Sequence, residues 1–474
     1  MNLTGIGWRH APEQVIFTCD PMAAGTESAP AVGSRSSTTA SDGTQVASAA
    51  PLAHAAPQAA PVDAPAPAGA ISAVDRRPAV LVVAPQPFYE DRGTPIAVLQ
   101  VVQALSELGY RIDLLTFPTG GDAPVPVPGL RVIHAANPFG FRRVPIGLSG
   151  RKLLLDISLA WRLWRVSRNG SYRCVHALEE AAFPAIALGS RRGTPVIYDM
   201  QSSLPEQLAS MPLFRWSPVA KLLSASERWL VRRASYVVTS GGLAQRVRRA
   251  APGARVREWR YSSPIRTVSP GEVQALRAEL GIGPDTPMVV YSGTFEPYQG
   301  LPELMAAIPQ VLEAHPHTVF VLVGGRNDQA AALAAESAEL LRRGSVRIVR
   351  RQPRERMPAF LAAADVLVSS RAFGANLPLK IFDYLAAGRP IVATDIPAHR
   401  AALDASCAVL VQPTSGAIAE GITHVLDNPA EAARLAQAAA RYADEHLTWR
   451  SFVESVGELY AEVESERSPA DPDN

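Results

Sequence analysis

FGANLPLKIFDYLAAGRPIVAT, residues 373–394, is the stretch on which the reading of the fold turns. A loop closes at Pro378, and a short helix follows with Lys380 and Asp383 on it. Gly388 and Pro390 stop the helix, and an apolar strand begins. One ammonium and one carboxylate thus stand near a helix N-terminus, at the mouth of a buried strand. Free N–H groups and the helix dipole favour anions there. A carboxylate one turn further in suits the paired hydroxyls of a ribose. The combination predicts a pocket for a nucleotide diphosphate.

Working outward, PIVAT (390–394) is one of a series. MVVYS (288–292), TVFVLVG (318–324), VRIV (346–349), DVLVS (365–369) and AVLV (408–411) are apolar runs separated by helical patterns. An earlier series has AVLVVA (79–84), RIDLLTF (111–117), LRVIH (130–134), RCVHA (173–177), PVIYD (195–199) and SYVVTS (235–240). Continuous apolar runs alternating with helices predict parallel sheets covered on both faces. The restart near residue 288 predicts two Rossmann-like domains facing each other across a cleft. Their ligands belong at the carboxyl ends of the strands.

The expected boundaries are residues 78–265 and 266–447, with the Pro-rich stretch 261–287 as the linker region. A C-terminal helix over 448–465 is expected to pack back on the first domain, so that the cleft hinges near residues 261–270. Residues 1–77 are dominated from 23 to 70 by Ala, Pro, Ser, Gly and Thr, too poor in large apolar side chains to offset their ordering entropy. That segment and the tail 466–474 are expected to lack packed structure.

Composition narrows the function. Of 474 residues, 47% are hydrophobic and 19% charged, which suits globular cores. A net charge of +2 without a long basic run argues against nucleic acid as partner. The three cysteines, Cys19, Cys174 and Cys407, are too scattered for a metal knuckle or a disulfide framework. No apolar run reaches the roughly 18 residues of a spanning helix, and no basic start leads into an apolar stretch as in a signal peptide. These features predict a cytoplasmic protein. RKLLLDISLAWRLWRVSR (151–168) is a basic helix on which Leu154, Ile157, Trp161 and Trp164 share a face. It suits either contact with an anionic membrane or ordinary packing of the tryptophans into the domain.

Further loops fall at strand ends. GTFEPYQG (293–300) joins a strand to a helix, and its glycines allow close approach to phosphate or simply a tight turn. VLVGG (321–325) ends on Gly324 and Gly325, which either keep a site open for a base or phosphate or make a plain turn. Gly93 and Thr94 stand just before a helix, facing the cleft, and suit a diphosphate or a helix-entry turn. No GxGxxG follows the first strand, which counts against a nicotinamide or flavin site. His176 and Glu179-Glu180 follow a strand and suit either the lining of the cleft or, for the carboxylates, helix N-terminal charge, which adjacent residues pointing in different directions favour. His399 reads as part of a helix start.

These motifs resemble those of a bacterial glycosyltransferase of the large retaining family four, with the two-domain GT-B fold, over roughly residues 78–460. NLPLKIFDYLAAGRPIVAT (376–394) carries most of the resemblance, supported by GTFEPYQG and VLVGG. The resemblance implies sugar transfer from a nucleotide sugar, carrying UDP or GDP, to a saccharide or lipid-linked acceptor. It implies no cofactor and no metal, and a place in polysaccharide or glycolipid assembly at the inner membrane face. Asp383 would hold the donor ribose in place of the usual glutamate. Lys380, with Asn376 and Leu377, would border the donor sugar and phosphates. Residues 293–300, including Thr294 and Gln299, would form the phosphate loop, and Gly93 the glycine loop of the acceptor domain.

Three positions depart from the family pattern. The arginine and lysine of its phosphate loop are replaced by Thr294 and Gln299. The first of its paired carboxylates is replaced by Ala375, and the acceptor-domain histidine by Gln201 within YDMQSSLPEQL (198–208). A charged hydrogen bond truly lost at such a site costs about 1.5–3 kcal/mol. Arg371 or Lys380 is expected to compensate. Two alternatives remain at this point: a non-catalytic relative that binds nucleotide sugar or a partner enzyme, and a nucleotide-sugar epimerase, for which no convincing acid/base pair stands out.

Overall fold

The computed structural model describes residues 16–17, 77–90, 93–121, 123–141, 149–203, 205, 218–265, 267–374 and 376–466. Its strands in chain order are β1 (Ile16–Phe17), β2 (Ala79–Ala84), β3 (Arg111–Thr116), β4 (Leu130–His134), β5 (Val175–Leu178), β6 (Val196–Met200) and β7 (Tyr236–Thr239). They continue with β8 (Val256–Glu258), β9 (Met288–Gly293), β10 (Val319–Gly324), β11 (Val346–Val349), β12 (Val366–Ser369), β13 (Ile391–Thr394) and β14 (Val409–Val411).

Two sheets result, with orders β4-β3-β2-β5-β6-β7-β8 and β1-β11-β10-β9-β12-β13-β14. All neighbours pair in parallel except β1, which runs antiparallel to β11. These are two Rossmann-like halves. The order reverses between β2 and β5 in one sheet and between β9 and β12 in the other. Loops leaving those strands splay apart and open a crevice at each switch point.

The period of two along each strand feeds two cores. Val80 and Val82 of β2 face one cluster, while Leu81 and Val83 face the other. In the second half Met288 and Val290 join the cluster of Val80, whereas Val289 and Tyr291 face a third. Every residue of β2 is buried, as a parallel strand roofed on both faces requires.

Two crossings join the halves, and they are bonded to each other: Ser263 N donates to Leu447 O at 3.2 Å. Gln100 clamps the first crossing by exchanging two hydrogen bonds of 2.9 Å with the Ser262 backbone. The Trp449–Ser465 helix follows the second crossing and buries Phe452, Val456, Leu459, Tyr460 and Val463, a spacing that makes one apolar stripe. Thr448 caps its N-terminus by accepting from Ser451 N. The stripe packs on the first half, where Trp449 Nε1 donates to Glu107 at 2.8 Å and Tyr110 to Glu464 at 3.2 Å.

Some expectations change. The stretch 261–287 is not all linker, because Pro270–Glu279 is a helix with a capping box between Ser269 and Glu272. The motif Ser-Pro-Gly-Glu (269–272) encodes that start, with Pro270 at the first helical position. Gly93 and Thr94 do not precede a helix; they begin the Gly93–Glu107 helix. Ile16–Phe17, within the segment expected to lack structure, pair with Val349 and Ile348. The open edge of β11 has backbone donors and acceptors for any extended neighbour. The rest of residues 1–76, and 467–474, lie outside the described residues.

Candidate active site in the second half

The loops after β9, β10 and β12 meet at the switch point of the second sheet. Gly324 pairs with Gly293 across β9 and β10, and a Cβ at Gly324 would collide with the Gly293 carbonyl. Gly300 (φ 68°) caps the Leu301–Ala314 helix, and a Cβ there would strike Ser370 O. Both glycines are therefore required by close backbone approach. Gly325 packs under the Phe295 ring. The same packing brings the start of the Leu301–Ala314 helix beside the residues that follow β12.

Lys380 lies in the first turn of the Leu379–Ala386 helix. Its Nζ stands 4.2 Å from the centre of the Tyr291 ring and donates to Gln299 Oε1 at 3.3 Å. A Cβ at Gly293 would be 3.5 Å from that nitrogen. Burial, with the nearby charge of Arg371, pulls the Lys380 pKa down to about 7. Thr294 is tied into the same group: its carbonyl accepts from Tyr291 at 2.8 Å, and its hydroxyl meets Gln299 Nε2 at 3.4 Å. Tyr384 braces the strand end, taking Ser292 N at 2.9 Å.

Arg371, one of the two cations expected to compensate, is anchored to the loop that follows β12. Its guanidinium donates to Phe373 O, Asn376 O and Asn376 Oδ1 at 2.9, 3.1 and 2.7 Å, and lies over the Tyr298 ring. It shapes the loop that carries Asn376 and Leu377. Leu377 is buried against Gly241 of the first half. Ala375 lies outside the described residues.

Asp383 faces a serine. Ser263 Oγ donates to its Oδ1 at 2.7 Å, and burial raises the carboxyl pKa against the opposing pull of Arg354 and that hydrogen bond. Sequence reading did not anticipate Ser263, which is 120 positions away. His399 is no part of this pocket. It is fully buried, bonded to Thr394 and Ser369, and held neutral with a pKa pushed down to about 4 by burial.

In the first half, Gln201 follows β6 and its Nε2 donates to both Asp199 Oδ1 and the Tyr261 hydroxyl at 2.6 Å. Asp199 Oδ2 is 3.2 Å from His176 Nε2, and His176 Nδ1 is 2.8 Å from the Tyr460 hydroxyl. A buried polar chain thus runs from the Gln201 position to the C-terminal helix. Gly93 is exposed, with open space where a Cβ would stand.

The residue that sequence reading underrated is Glu179. It opens the short 3-10 turn Glu179–Ala181 ahead of the Ala182–Arg192 helix, so it is helix N-terminal charge as expected, with more besides. It follows β5 at the switch point of the first sheet, with φ 48° in the left-handed region, and accepts from Ser202 Oγ at 2.9 Å. Burial raises its pKa to about 8, with Asp199 and Glu227 adding to the rise. Such strain and such a shift concentrate at functional sites. Its neighbour Glu180 pairs instead with Lys152.

Residues 272–442 match the model of the glycosyl transferases group 1 family, and residues 92–258 match that of the glycosyl transferase 4-like domain. The chain belongs to the family-four glycosyltransferases with the GT-B fold. It is 24% identical to a D-inositol 3-phosphate glycosyltransferase of Streptomyces coelicolor, over 83% of this chain and 93% of the other. It is equally 24% identical to a glycogen synthase of Mycobacterium tuberculosis, over 77% of this chain and 90% of that one. Among solved structures it superposes on a sucrose-phosphate synthase from Thermosynechococcus elongatus with a TM-score of 0.71 at 20% identity, covering 82% of this chain and 100% of the other. Anabaena HepE, solved with UDP and glucose, gives 0.62 at 16% identity, covering 81% and 100%.

The loop Gly293–Gly300 carries one charged side chain, Glu296. Gln299 reaches Lys380, and Thr294 serves the loop's own hydrogen bonds. Lys380 points at the β9 glycine, with the Arg371 guanidinium over Tyr298 of the same loop. Among the described residues no group of three His, Cys, Asp or Glu is arranged to hold a metal ion. No described helix is long and apolar enough to cross a membrane.

Proposed function

We propose that this glycosyltransferase is a retaining enzyme that takes a hexose from a UDP- or GDP-sugar without a metal ion. Its acceptor is a growing polysaccharide or glycolipid at the inner face of the membrane. The observation that supports the reading is Lys380 Nζ beside Gly293 and Gln299, with Asp383 three residues on along the same helix. Lys380 and the first N–H groups of the Leu301–Ala314 helix bind the diphosphate, with Gly324 and Gly325 leaving room beside them. Asp383 accepts the ribose hydroxyls after Ser263 yields. Asn376 and Leu377 border the donor sugar. Gly93 and Thr94 close on the diphosphate from the other half, and Gln201 stands where the family places a histidine against the donor sugar.

In the reaction the bond from the anomeric carbon to the diphosphate oxygen breaks, and the electron pair leaves with the diphosphate. The acceptor hydroxyl bonds to the same face of that carbon, and its proton passes to the departing phosphate. Lys380 stabilises the charge that develops there, in an enclosed site where one ammonium counts for more than in water. The Gly150–Asn169 helix, with Trp161 and Trp164 turned outward, supports peripheral attachment to the membrane.

A second reading keeps the same pocket but no transfer. It is favoured by Gln201, whose amide is already engaged by Asp199 and Tyr261. Calorimetry with UDP and GDP, on wild type and Asp383→Ala, together with release of nucleotide from a panel of nucleotide sugars, separates them. One nucleotide bound and lost in the variant, with turnover, supports transfer. Binding without any turnover moves the protein to the second reading, and no binding at all removes both.

A further inference from the structure

The Gly150–Asn169 helix has apolar residues on two faces. Leu155, Leu159 and Leu163 are buried against the first sheet. Leu153, Ile157, Trp161 and Trp164 are 62%, 61%, 49% and 41% exposed. At about 100° per residue these four and Leu154 share one outward arc. Two arginines lie flat on the tryptophans: Arg165 is 4.8 Å from the centre of the Trp161 ring, and Arg168 is 4.7 Å from that of Trp164.

Beside the C-terminal half of this helix is a cavity of about 640 Å³, lined in part by Arg111, Asp113, Arg131, Arg162, Arg165 and Tyr172. Four guanidinium groups there meet one carboxylate. Asp113 is taken up by Arg131, at 2.6 and 2.8 Å, and by the Tyr172 hydroxyl at 2.6 Å. Those bonds hold its carboxyl below the usual range despite burial. The buried Nε atoms of Arg111 and Arg162 have no hydrogen-bond partner. With Asp113 taken up, the guanidinium groups lining the cavity leave a positive charge that an anion would balance. Its lining runs from Arg111 at the start of β3 along β4 to His134, so the cavity lies against the β3–β4 edge of the first sheet beneath the helix.

We propose that this cavity binds the phosphate of an anionic phospholipid headgroup while Trp161 and Trp164 enter the membrane interface. The inference rests on the membrane attachment proposed above and adds its headgroup site. Guanidinium forks match phosphate oxygens. Tryptophans favour the headgroup level. Arg165, stacked on Trp161, also lines the cavity and so joins the apolar stripe to it.

The test is sedimentation with phosphatidylcholine vesicles, with and without phosphatidylglycerol, of wild type, Arg111→Gln/Arg162→Gln and Trp161→Ala/Trp164→Ala. Unchanged melting and unchanged UDP binding in each variant report an intact fold. Wild type should prefer the anionic vesicles. The arginine pair should lose on the order of tenfold or more of that preference, about fivefold per guanidinium, and the tryptophan pair should lose binding to both vesicles. If the arginine variant binds anionic vesicles like wild type, the headgroup site is wrong and the attachment reading survives. If wild type binds neither vesicle, both are wrong. Tryptophan fluorescence with inorganic phosphate supplies the remaining arm. A response abolished in the arginine variant, with vesicle binding retained, would assign the cavity to a soluble anion and overturn the lipid.

Discussion

Ser263 sits on Asp383: its hydroxyl donates to Oδ1 at 2.7 Å, from the strand of chain that joins the two halves. The carboxylate proposed to hold the donor ribose is therefore already holding a hydroxyl. Donor entry and the position of the crossing become linked, since a ribose must displace Ser263. Ser263→Ala removes the competitor. Its affinity for the preferred nucleotide should rise about two- to tenfold, the worth of one exchanged hydrogen bond. Calorimetry reads this directly, and an unchanged or weakened affinity would mean that Asp383 serves the hinge alone.

Lys380 links donor binding to pH. Its pKa is pulled down to about 7 in the free site, and a diphosphate beside it favours the charged form and raises it again. A proton is then taken up as nucleotide binds, in the window from about pH 7 upward toward the ordinary lysine value. Affinity should be greatest below that window and fall as the pH rises through it. Binding heats measured in buffers of different ionisation enthalpy should diverge for wild type and coincide for Lys380→Met. Coinciding wild-type heats would remove Lys380 from the diphosphate site.

Glu179 should show itself in stability. Its pKa is raised from 4.5 to about 8 by burial, so the folded state favours the protonated carboxyl. Stability is retained below the unfolded value and lost as the pH climbs toward the folded one. Glutamine imitates the protonated form. Glu179→Gln should melt like wild type at about pH 4 and above it by a growing margin up to about pH 9. Parallel melting profiles across that range would show that the carboxyl titrates normally.

Phe452 anchors the returning helix. It is buried and touches the rings of Trp259, Tyr261 and Trp449 at centroid separations of 5.8, 5.4 and 5.8 Å. Phe452→Ala should cost about 3–5 kcal/mol, as for other large ring deletions in a packed core. A denaturant midpoint shifted by less than a third of that would mean that the helix rests on its polar contacts, such as Arg257 with Glu462.

Much of this was legible in the chain. Apolar runs of four to six residues between helical patterns are local signals, and they sufficed for two parallel sheets with loops at the carboxyl ends of their strands. Residues 373–394 likewise placed Lys380 and Asp383 on a helix at a strand mouth. Their partners were not legible. Arg371 is held by Asn376 and Phe373 through a loop shape that no periodicity encodes. Trp161 and Trp164 looked equally suited to packing inward, and only the docked helix turned them out.

The sequence by itself determined the elements, their order and the residue types at the strand ends, because helix and strand periods and glycine turns are properties of neighbours in the chain. The tertiary structure alone decided which charges stay available. Ser263 reaches Asp383 across 120 positions and Gln201 reaches Tyr261 across 60. Whether a carboxylate or an amide is free depends on which distant segment packs against it, and burial then sets how strongly it holds its charge.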